Sequence, residues 1–305
     1  MKIFIARRLA YIIVVFLATS LFVFWLSRAT GDPRLVFLDE YTTKEAWAAW
    51  GREMGLEKPL VVQYFIWLGN AVTGDFGQSL AQRTNSLDVI TSRIPATLQL
   101  TAGAFMFAVI VGVPLGVLSA VSRGSFLDYI GRTFALFGQA LPPFWLGIML
   151  ILIFSVRLDW LPTSQRGGPD HYILPSVTLG WLVASGFLRL VRSSMLEVLD
   201  SEYIKLARAK GVGNRSIIWK HAFRNASLAP MTYAGLLLAS LLTGTVVTET
   251  VFAWPGLGRL AVQSVFNSDF PVLTGVVMLF TLFYVGMNFL VDLAYAYLDP
   301  RIRYN

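Results

Sequence analysis

The chain has 305 residues, of which 55% are hydrophobic and 14% charged, with a net charge of +7 and no cysteine. Soluble globular domains carry about 25% charged residues, so this composition indicates a membrane protein. Without cysteine the chain has no disulfide, thiolate nucleophile or cysteine-ligated metal centre. The basic residues lie between apolar runs, which favours a role in membrane orientation over nucleic-acid binding.

Six apolar runs are long enough for a helix to cross a hydrocarbon core of about 30 Å. We therefore predict an all-α integral membrane protein with six transmembrane helices, at about 9–27, 98–121, 133–156, 173–190, 231–251 and 274–297. The first run resembles a signal peptide. We interpret it as an uncleaved helix because no small-residue cleavage site follows Ser27.

The distribution of lysine and arginine predicts the orientation of these helices. On one side of the membrane, basic residues cluster at Lys2, Arg7, Arg8, Arg123, Arg132, from Arg189 to Arg224, and at Arg301 and Arg303. The two short loops on the opposite side hold only Arg157, Arg166 and Arg259. This bias predicts that both termini are cytoplasmic. The long segment after the first helix contains Trp47, Trp50, Tyr64, Phe65 and Trp67, so we expect it to be folded or to lie along the membrane interface.

Small residues and prolines predict how the spans pack. Gly112 and Gly116 are four residues apart in the second span, and Gly180 and Ala184 repeat this spacing in the fourth, which allows close helix contact. The Pro142-Pro143 pair is expected to kink or break the third span. Ordinary bundle packing explains these residues, and a gating hinge at the proline pair is the alternative.

The sequence carries few groups for catalysis. Only His171 and His221 are present, and no metal-binding H-E-x-x-H helix, G-x-S-x-G elbow or phosphate-binding G-x-x-x-x-G-K-[ST] loop occurs. We therefore predict a transport protein rather than an enzyme, with any ATP-derived energy coming from another polypeptide. A membrane-embedded hydrolase is disfavoured on the same grounds.

The loop between the fourth and fifth spans predicts a helix-turn-helix. Asp200 or Ser201 is expected to cap the first helix, and Glu202 in the first turn suits the positive end of its dipole. Gly211 and Gly213 are expected to end it. A second helix is expected from Asn214 toward Asn225.

Tyr203, Ala207 and Gly211 recur every four residues in this first helix and form one face of mostly small residues. Such a face is suited to binding another protein. The basic residues beside it are equally suited to binding anionic lipid. A DNA-binding helix pair is the less suitable interpretation, because both ends of the loop are tethered to the membrane.

Motifs along nearly the whole chain resemble one known family. The loop E-Y-I-K-L-A-R-A-K-G with H-A-F-R-N-A resembles the cytoplasmic EAA-type loop of bacterial ABC importer permeases, in the dipeptide, oligopeptide and nickel branch. Further similarities are A-R-R-L, G-D-P at Gly31, G-L-E-K-P-L at Gly55, G-D-F-G at Gly74, I-P-A-T-L at Ile94, W-L-P at Trp160, Y-I-L-P-S at Tyr172, E-T-V-F-A-W-P-G-L-G-R at Glu249, D-F-P-V at Asp269 and L-D-P-R-I-R at Leu298.

The resemblance implies a type I ABC importer permease fold in a bacterial or archaeal cytoplasmic membrane. It divides the chain into a first transmembrane helix with an extracytoplasmic segment (1–94), a permease core (95–297) whose coupling loop spans about 195–229, and a cytoplasmic tail (298–305). It implies a second, homologous permease, two ATPase subunits that bind ATP and Mg²⁺, and an extracytoplasmic solute-binding protein. No cofactor is implied in this chain.

In this family the loop contacts the ATPase as a coupling helix. The resemblance carries that role to Glu202, Tyr203, Ala207, Ala209 and Gly211. The sequence departs from the family pattern where Lys205, Leu206 and Ala207 stand in place of Glu-Ala-Ala, which leaves the register of the contact open. The implied solute is peptide-like or a nickel chelate, and the rival function is a self-sufficient channel or secondary transporter.

Polar residues within the spans are candidates for the translocation pathway. Tyr284, Asn288 and Asp292 fall on one face of the last helix, and the alternative is that they bond a neighbouring helix. An aspartate in mid-membrane costs roughly 2.5 to 3.5 kcal/mol, so Asp292 is expected to avoid lipid. Glu249 is a candidate contact for a peptide amino group, and the alternative is a solvated carboxylate at the membrane interface.

Overall fold

The structure is a computed structural model that describes residues 2–29, 43–53 and 56–298. Its helices are α1 (Lys2–Ala29), α2 (Lys44–Glu53), α3 (Leu60–Val72), α4 (Ser86–Phe107), α5 (Val113–Val121), α6 (Phe126–Ala140), α7 (Pro143–Leu150), α8 (Ile173–Leu199), α9 (Glu202–Ala209), α10 (Asn214–Ser216), α11 (Arg224–Ala226), α12 (Leu228–Val251), α13 (Leu257–Phe266) and α14 (Phe270–Leu298). Wide helical turns join α4 to α5 (Ala108–Gly112) and α10 to α11 (Ile217–Phe223), and a third (Ile151–Arg157) extends α7. No strand occurs in these described ranges, so the all-α prediction is confirmed.

Four helices are long and apolar enough to cross a membrane, and the number rises to six if each of two bent pairs is one span. The continuous ones are Ile5–Ala29, Ser86–Val121, Pro169–Leu199 and Phe270–Leu293. Each prediction for these four located the correct helix; the first three are too short, and the last, 274–297, begins four residues late. The second span, for example, begins at Ser86 because Asn85 Oδ1 accepts a hydrogen bond from the Leu87 amide at 2.8 Å and caps the helix.

The third and fifth predicted spans are bent rather than straight. Phe126–Ala140 and Pro143–Arg157 meet at 112°, and Leu228–Gly235 and Ser240–Val251 at 63°. The predicted span over 133–156 thus consists of two helices rather than one continuous helix. Pro142 has an extended backbone, with ψ of 136°, because the residue before a proline is driven out of the helical region. The predicted proline break is confirmed.

Helix α8 lies at the centre of the bundle and packs closely against α4 and α5. A Cβ added to Gly112 would lie 2.5 Å from the Ala184 carbonyl oxygen, and one added to Gly180 would lie 2.5 Å from that of Ala104. Only glycine allows the backbones to approach so closely. The predicted small-residue packing between the second and fourth spans is confirmed.

The described part of the segment between the first two spans contains the helices α2 and α3, as expected for a folded element. The loop after α3 is fastened to the start of α14, because Ser79 Oγ donates to Asp269 Oδ2 at 2.5 Å. Asp269 also accepts a hydrogen bond from the Val272 amide and so caps α14. The predicted tail, 298–305, lies outside the described residues apart from Leu298.

Candidate functional site

The loop after α8 forms a helical elbow, residues 202–226, built from α9, α10 and α11. Ser201 precedes α9 in an extended conformation, but its hydroxyl donates to the Val198 carbonyl at 2.5 Å rather than accepting from α9. Asp200 ends α8. The predicted side-chain cap is therefore wrong, although Glu202 does occupy the first turn, where it pairs with Lys205 at 2.7 Å.

The carboxyl end of α9 is a Schellman motif. The Gly211 amide donates to the Arg208 carbonyl at 2.9 Å, and the Val212 amide donates to the Ala207 carbonyl at 3.2 Å. Gly211 has φ of +78°, in the left-handed region that glycine occupies without a steric penalty. The four-residue spacing of Ala207 and Gly211 is therefore that of a helix end and the glycine that closes it.

The underside of the elbow is fixed to the bundle by apolar contacts. Ile204 of α9 is fully buried, with 0% exposure, in a cluster that also contains Ile217. The other buried members are Val117, Ala120, Val191, Met195, Ala222 and Ala226. Asn225 Nδ2 donates to the Tyr203 hydroxyl at 3.0 Å and ties α11 to α9. These contacts pack α9 and α11 against the ends of α5 and α8.

The opposite side of the elbow is an exposed surface with apolar residues. Tyr203, Leu206 and Trp219 are 44%, 56% and 50% exposed. Of the residues that the sequence assigned to this contact, Glu202, Tyr203, Ala209 and Gly211 are exposed, whereas Ala207 is half-buried. The sequence analysis missed Leu206 and Trp219. The three-residue spacing of Tyr203 and Leu206 was the signal that places both on one side of α9.

A buried ion pair lies beside the apolar cluster under the elbow. Arg192 of α8 donates from Nε to Asp128 Oδ1 at 2.9 Å and from Nη2 to Asp128 Oδ2 at 3.0 Å. Asp128 also accepts from Ser119 Oγ at 2.5 Å and from the Gly124 amide at 3.0 Å. Such a bidentate, fully bonded pair fixes geometry as well as charge. It joins α5, α6 and α8 next to the elbow.

The three polar residues on α14 have different surroundings. Asp292 accepts a hydrogen bond from Arg8 Nη2 of α1 at 2.9 Å, which meets the expectation that it avoids lipid. Asn288 Nδ2 donates to the Tyr284 carbonyl one turn earlier, and the Tyr284 side chain is exposed. In this chain Asp292 thus serves helix packing between the first and last spans.

Glu249 near the end of α12 is fully buried, with 0% exposure. Its Oε1 accepts from Thr97 Oγ1 at 2.7 Å, and its Oε2 accepts from the Arg259 amide in the first turn of α13 at 3.0 Å. A Cβ added to Gly256 would collide with the carboxylate. The alternative of a solvated carboxylate is wrong, because this group instead caps α13 and joins it to α4.

Comparison with known protein families identifies the chain. Residues 112–304 match the family described as binding-protein-dependent transport system inner membrane component, and residues 1–101 match the amino-terminal region of the same group. The chain belongs to this family. It is a permease subunit of an ATP-driven importer and a multi-pass protein of a bacterial cytoplasmic membrane.

Relatives of this permease match it over almost its full length. It is 40% identical over 300 residues to the glutathione transport system permease protein GsiC of Escherichia coli strain K12, with 98% of each chain covered. It is also 40% identical over 302 residues to the protein of that name from Salmonella choleraesuis, with 99% of each covered.

Solved structures share the fold of this permease. An inward-facing form of the MetNI methionine ABC transporter matches with a TM-score of 0.58 at 21% identity, over 69% of this chain and 96% of the other. An amino acid ABC transporter with histidines matches with a TM-score of 0.55 at 15% identity, over 68% and 92%. These likenesses concern the fold alone.

Proposed function

We propose that this permease forms half of the translocation pathway of an importer for peptides or similar small solutes, with glutathione as the first solute to test. The support is the 40% identity, over nearly the whole chain, to permeases named for glutathione transport. Dipeptides, longer peptides and nickel chelates are the other solutes that the branch suggests. A separate solute-binding protein would select among them.

The elbow is the proposed contact with an ATPase subunit, one of two separate subunits that bind ATP and Mg²⁺ in place of this chain. This proposal rests on the observation that one side of α9 is buried in the bundle while the other side is exposed. Ile204 is fully buried in the bundle, whereas Leu206 two residues later is 56% exposed. An exposed apolar side chain on a firmly anchored helix fits a partner protein better than free solvent. Glu202, Tyr203, Ala209 and Gly211 lie on the exposed part of the same elbow.

The proposed mechanism is alternating access. Closure of the ATPase pair would move the elbow of this chain and that of a second, homologous permease, and the two bundles would rock as rigid bodies. The apolar cluster under α9 and the Asp128–Arg192 pair would carry that movement into α5, α6 and α8. A ligand must bind its favoured state more tightly than the other state by several kcal/mol for a full population shift.

Both termini and the elbow are proposed to face the cytoplasm. The support is the excess of lysine and arginine on that side. Among the pathway candidates, Tyr284 and Asn288 remain proposals for a solute contact. The bonding of Asp292 to Arg8, and of Glu249 to Thr97 and α13, supports positioning roles for these two carboxylates.

Reconstitution in proteoliposomes tests the proposed function. The complete complex, with both permeases, the ATPase subunits and the binding protein, should take up labelled glutathione only when ATP is inside, and omission of the ATPase subunits should abolish uptake. Parallel assays with a dipeptide and a nickel chelate would identify the solute class. Uptake by this chain alone would instead support the channel or secondary transporter.

A further inference from the structure

Helix α3, Leu60–Val72, is too short to cross a membrane but has the composition of a membrane segment. Its 13 residues give a length of about 20 Å, against a hydrocarbon core of about 30 Å. The sequence L-V-V-Q-Y-F-I-W-L-G-N-A-V contains no charged residue. A helix of this kind needs an apolar environment on at least one side.

The exposed residues of α3 form one continuous apolar face. Its members are spaced one, four and five positions apart, and they are Val61, Val62, Phe65, Ile66, Gly69 and Val72; Leu60 at the start of the helix and Asn70 near its end are also exposed. The opposite side is turned to the protein, where Gln63 is buried and donates to the Leu56 and Lys58 carbonyls at 2.9 and 2.8 Å. The polar amide of Gln63 is thus hydrogen-bonded within the protein, while the exposed side of α3 is apolar except at Asn70.

The contacts of α3 with α1 show how deep it lies. The Tyr64 hydroxyl bonds Ser20 Oγ at 2.8 Å, and the rings of Tyr64 and Trp67 lie 5.5 and 5.6 Å from that of Phe24. At 1.5 Å per residue, the distance along α1 from Ser20 to its end at Ala29 is about 13 Å. The side chain of Tyr64 is shorter than this distance along α1. The helix itself therefore lies below the level at which α1 ends.

We infer that the exposed face of α3 is embedded in the lipid leaflet on the membrane side opposite the elbow, where α3 acts as a lateral anchor of the first span. The occupant is the acyl-chain region of lipid rather than a protein. On α1, Leu21 and Trp25 follow the contact residues Ser20 and Phe24 directly and are exposed, so apolar surface of α1 adjoins α3. A protein-binding surface is expected to carry a polar rim, whereas Asn70, near the carboxyl end, is the only residue with a polar side chain that α3 exposes.

Single spin labels test this inference directly, because the chain has no cysteine of its own. Val61→Cys and Phe65→Cys place the label on the apolar face, and Gln82→Cys places it on the exposed loop that follows. The full transporter, with partner subunits free of reactive cysteine, is reconstituted in nanodiscs of phosphatidylethanolamine and phosphatidylglycerol. Power saturation then compares access of oxygen, which partitions into lipid, with that of a water-soluble nickel chelate.

The expected result is a several-fold higher ratio of oxygen to nickel access at Val61 and Phe65 than at Gln82. High nickel access at the two α3 positions would place the face in water and overturn the inference. Low access of both reagents with an immobile label would show a protein partner and would also overturn it. Neither result depends on the transported solute, so failure here is distinguishable from failure of the proposed function.

Discussion

Replacing Gly211 with valine is expected to misdirect α9 without preventing membrane insertion. Gly211 has φ of +78°, and a Cβ at this position would meet nothing within 4 Å. The substitution therefore adds backbone strain but no clash. A left-handed conformation costs an L-residue about 1 to 2 kcal/mol, and a β-branched side chain adds to this. Because the strain acts at the carboxyl end of α9, where the Schellman motif closes, we expect α9 to change its orientation. Its exposed side would then no longer face the same direction.

The assay is transport per ATP hydrolysed by the reconstituted complex. A penalty of 1 to 2 kcal/mol shifts a two-state equilibrium about 5- to 30-fold, so uptake should fall by a comparable factor while ATP hydrolysis continues. Gly213→Ala is the matched control, because a Cβ added at Gly213 would also meet nothing within 4 Å but its φ is an ordinary −62°. Equal coupling in Gly211→Val and Gly213→Ala would refute the reasoning.

Three further substitutions separate stability from coupling. Arg192→Ala leaves the buried Asp128 carboxylate without its cation and should lower the free energy of unfolding by about 3 kcal/mol, measured by thermal unfolding in detergent. Gly256→Ala places a methyl group against the Glu249 carboxylate and should lower the thermal midpoint by displacing α13. Leu206→Asp changes an exposed residue, so it should leave the midpoint unchanged but reduce uptake per ATP by weakening the elbow contact.

Matched variants serve as controls for the first two of these predictions. Arg189→Ala removes an exposed arginine from the same helix as the ion pair and should have little effect on unfolding. Gly286→Ala adds a methyl group where nothing lies within 4 Å and should be tolerated. An unchanged midpoint in Arg192→Ala or Gly256→Ala, or full coupling in Leu206→Asp, would show that the corresponding contact has been misinterpreted.

Sequence patterns predicted the helices well because hydrophobic length is a local property. The apolar runs located the spans, and Pro142-Pro143 located a break. The 112° bend of the third span was not predictable, since an angle depends on packing against distant helices. The true start of the second span at Ser86 was missed because its first turns, which hold Asp88 and Arg93, are not apolar.

The candidate site shows the same division between local and distant information. The alanine and glycine of the loop were recognised from the sequence, but their place in a Schellman motif required backbone angles. Pairing of Asp128 with Arg192, and of Glu249 with Thr97, joins residues far apart in the chain. A single sequence holds no signal for such partners. The buried Glu249 illustrates this most clearly, since charge alone suggested contact with water or solute.

Cysteine cross-linking at the elbow is the measurement that tests the central claim most directly. The chain offers no competing thiol, so Leu206→Cys and Ala209→Cys can each be paired with cysteines placed on the surface of the ATPase subunits. The account predicts cross-links to the ATPase from both positions, with loss of uptake that reduction restores. Absence of any cross-link in an active complex, or labelling of these positions by an impermeant thiol reagent added outside intact cells, would contradict it.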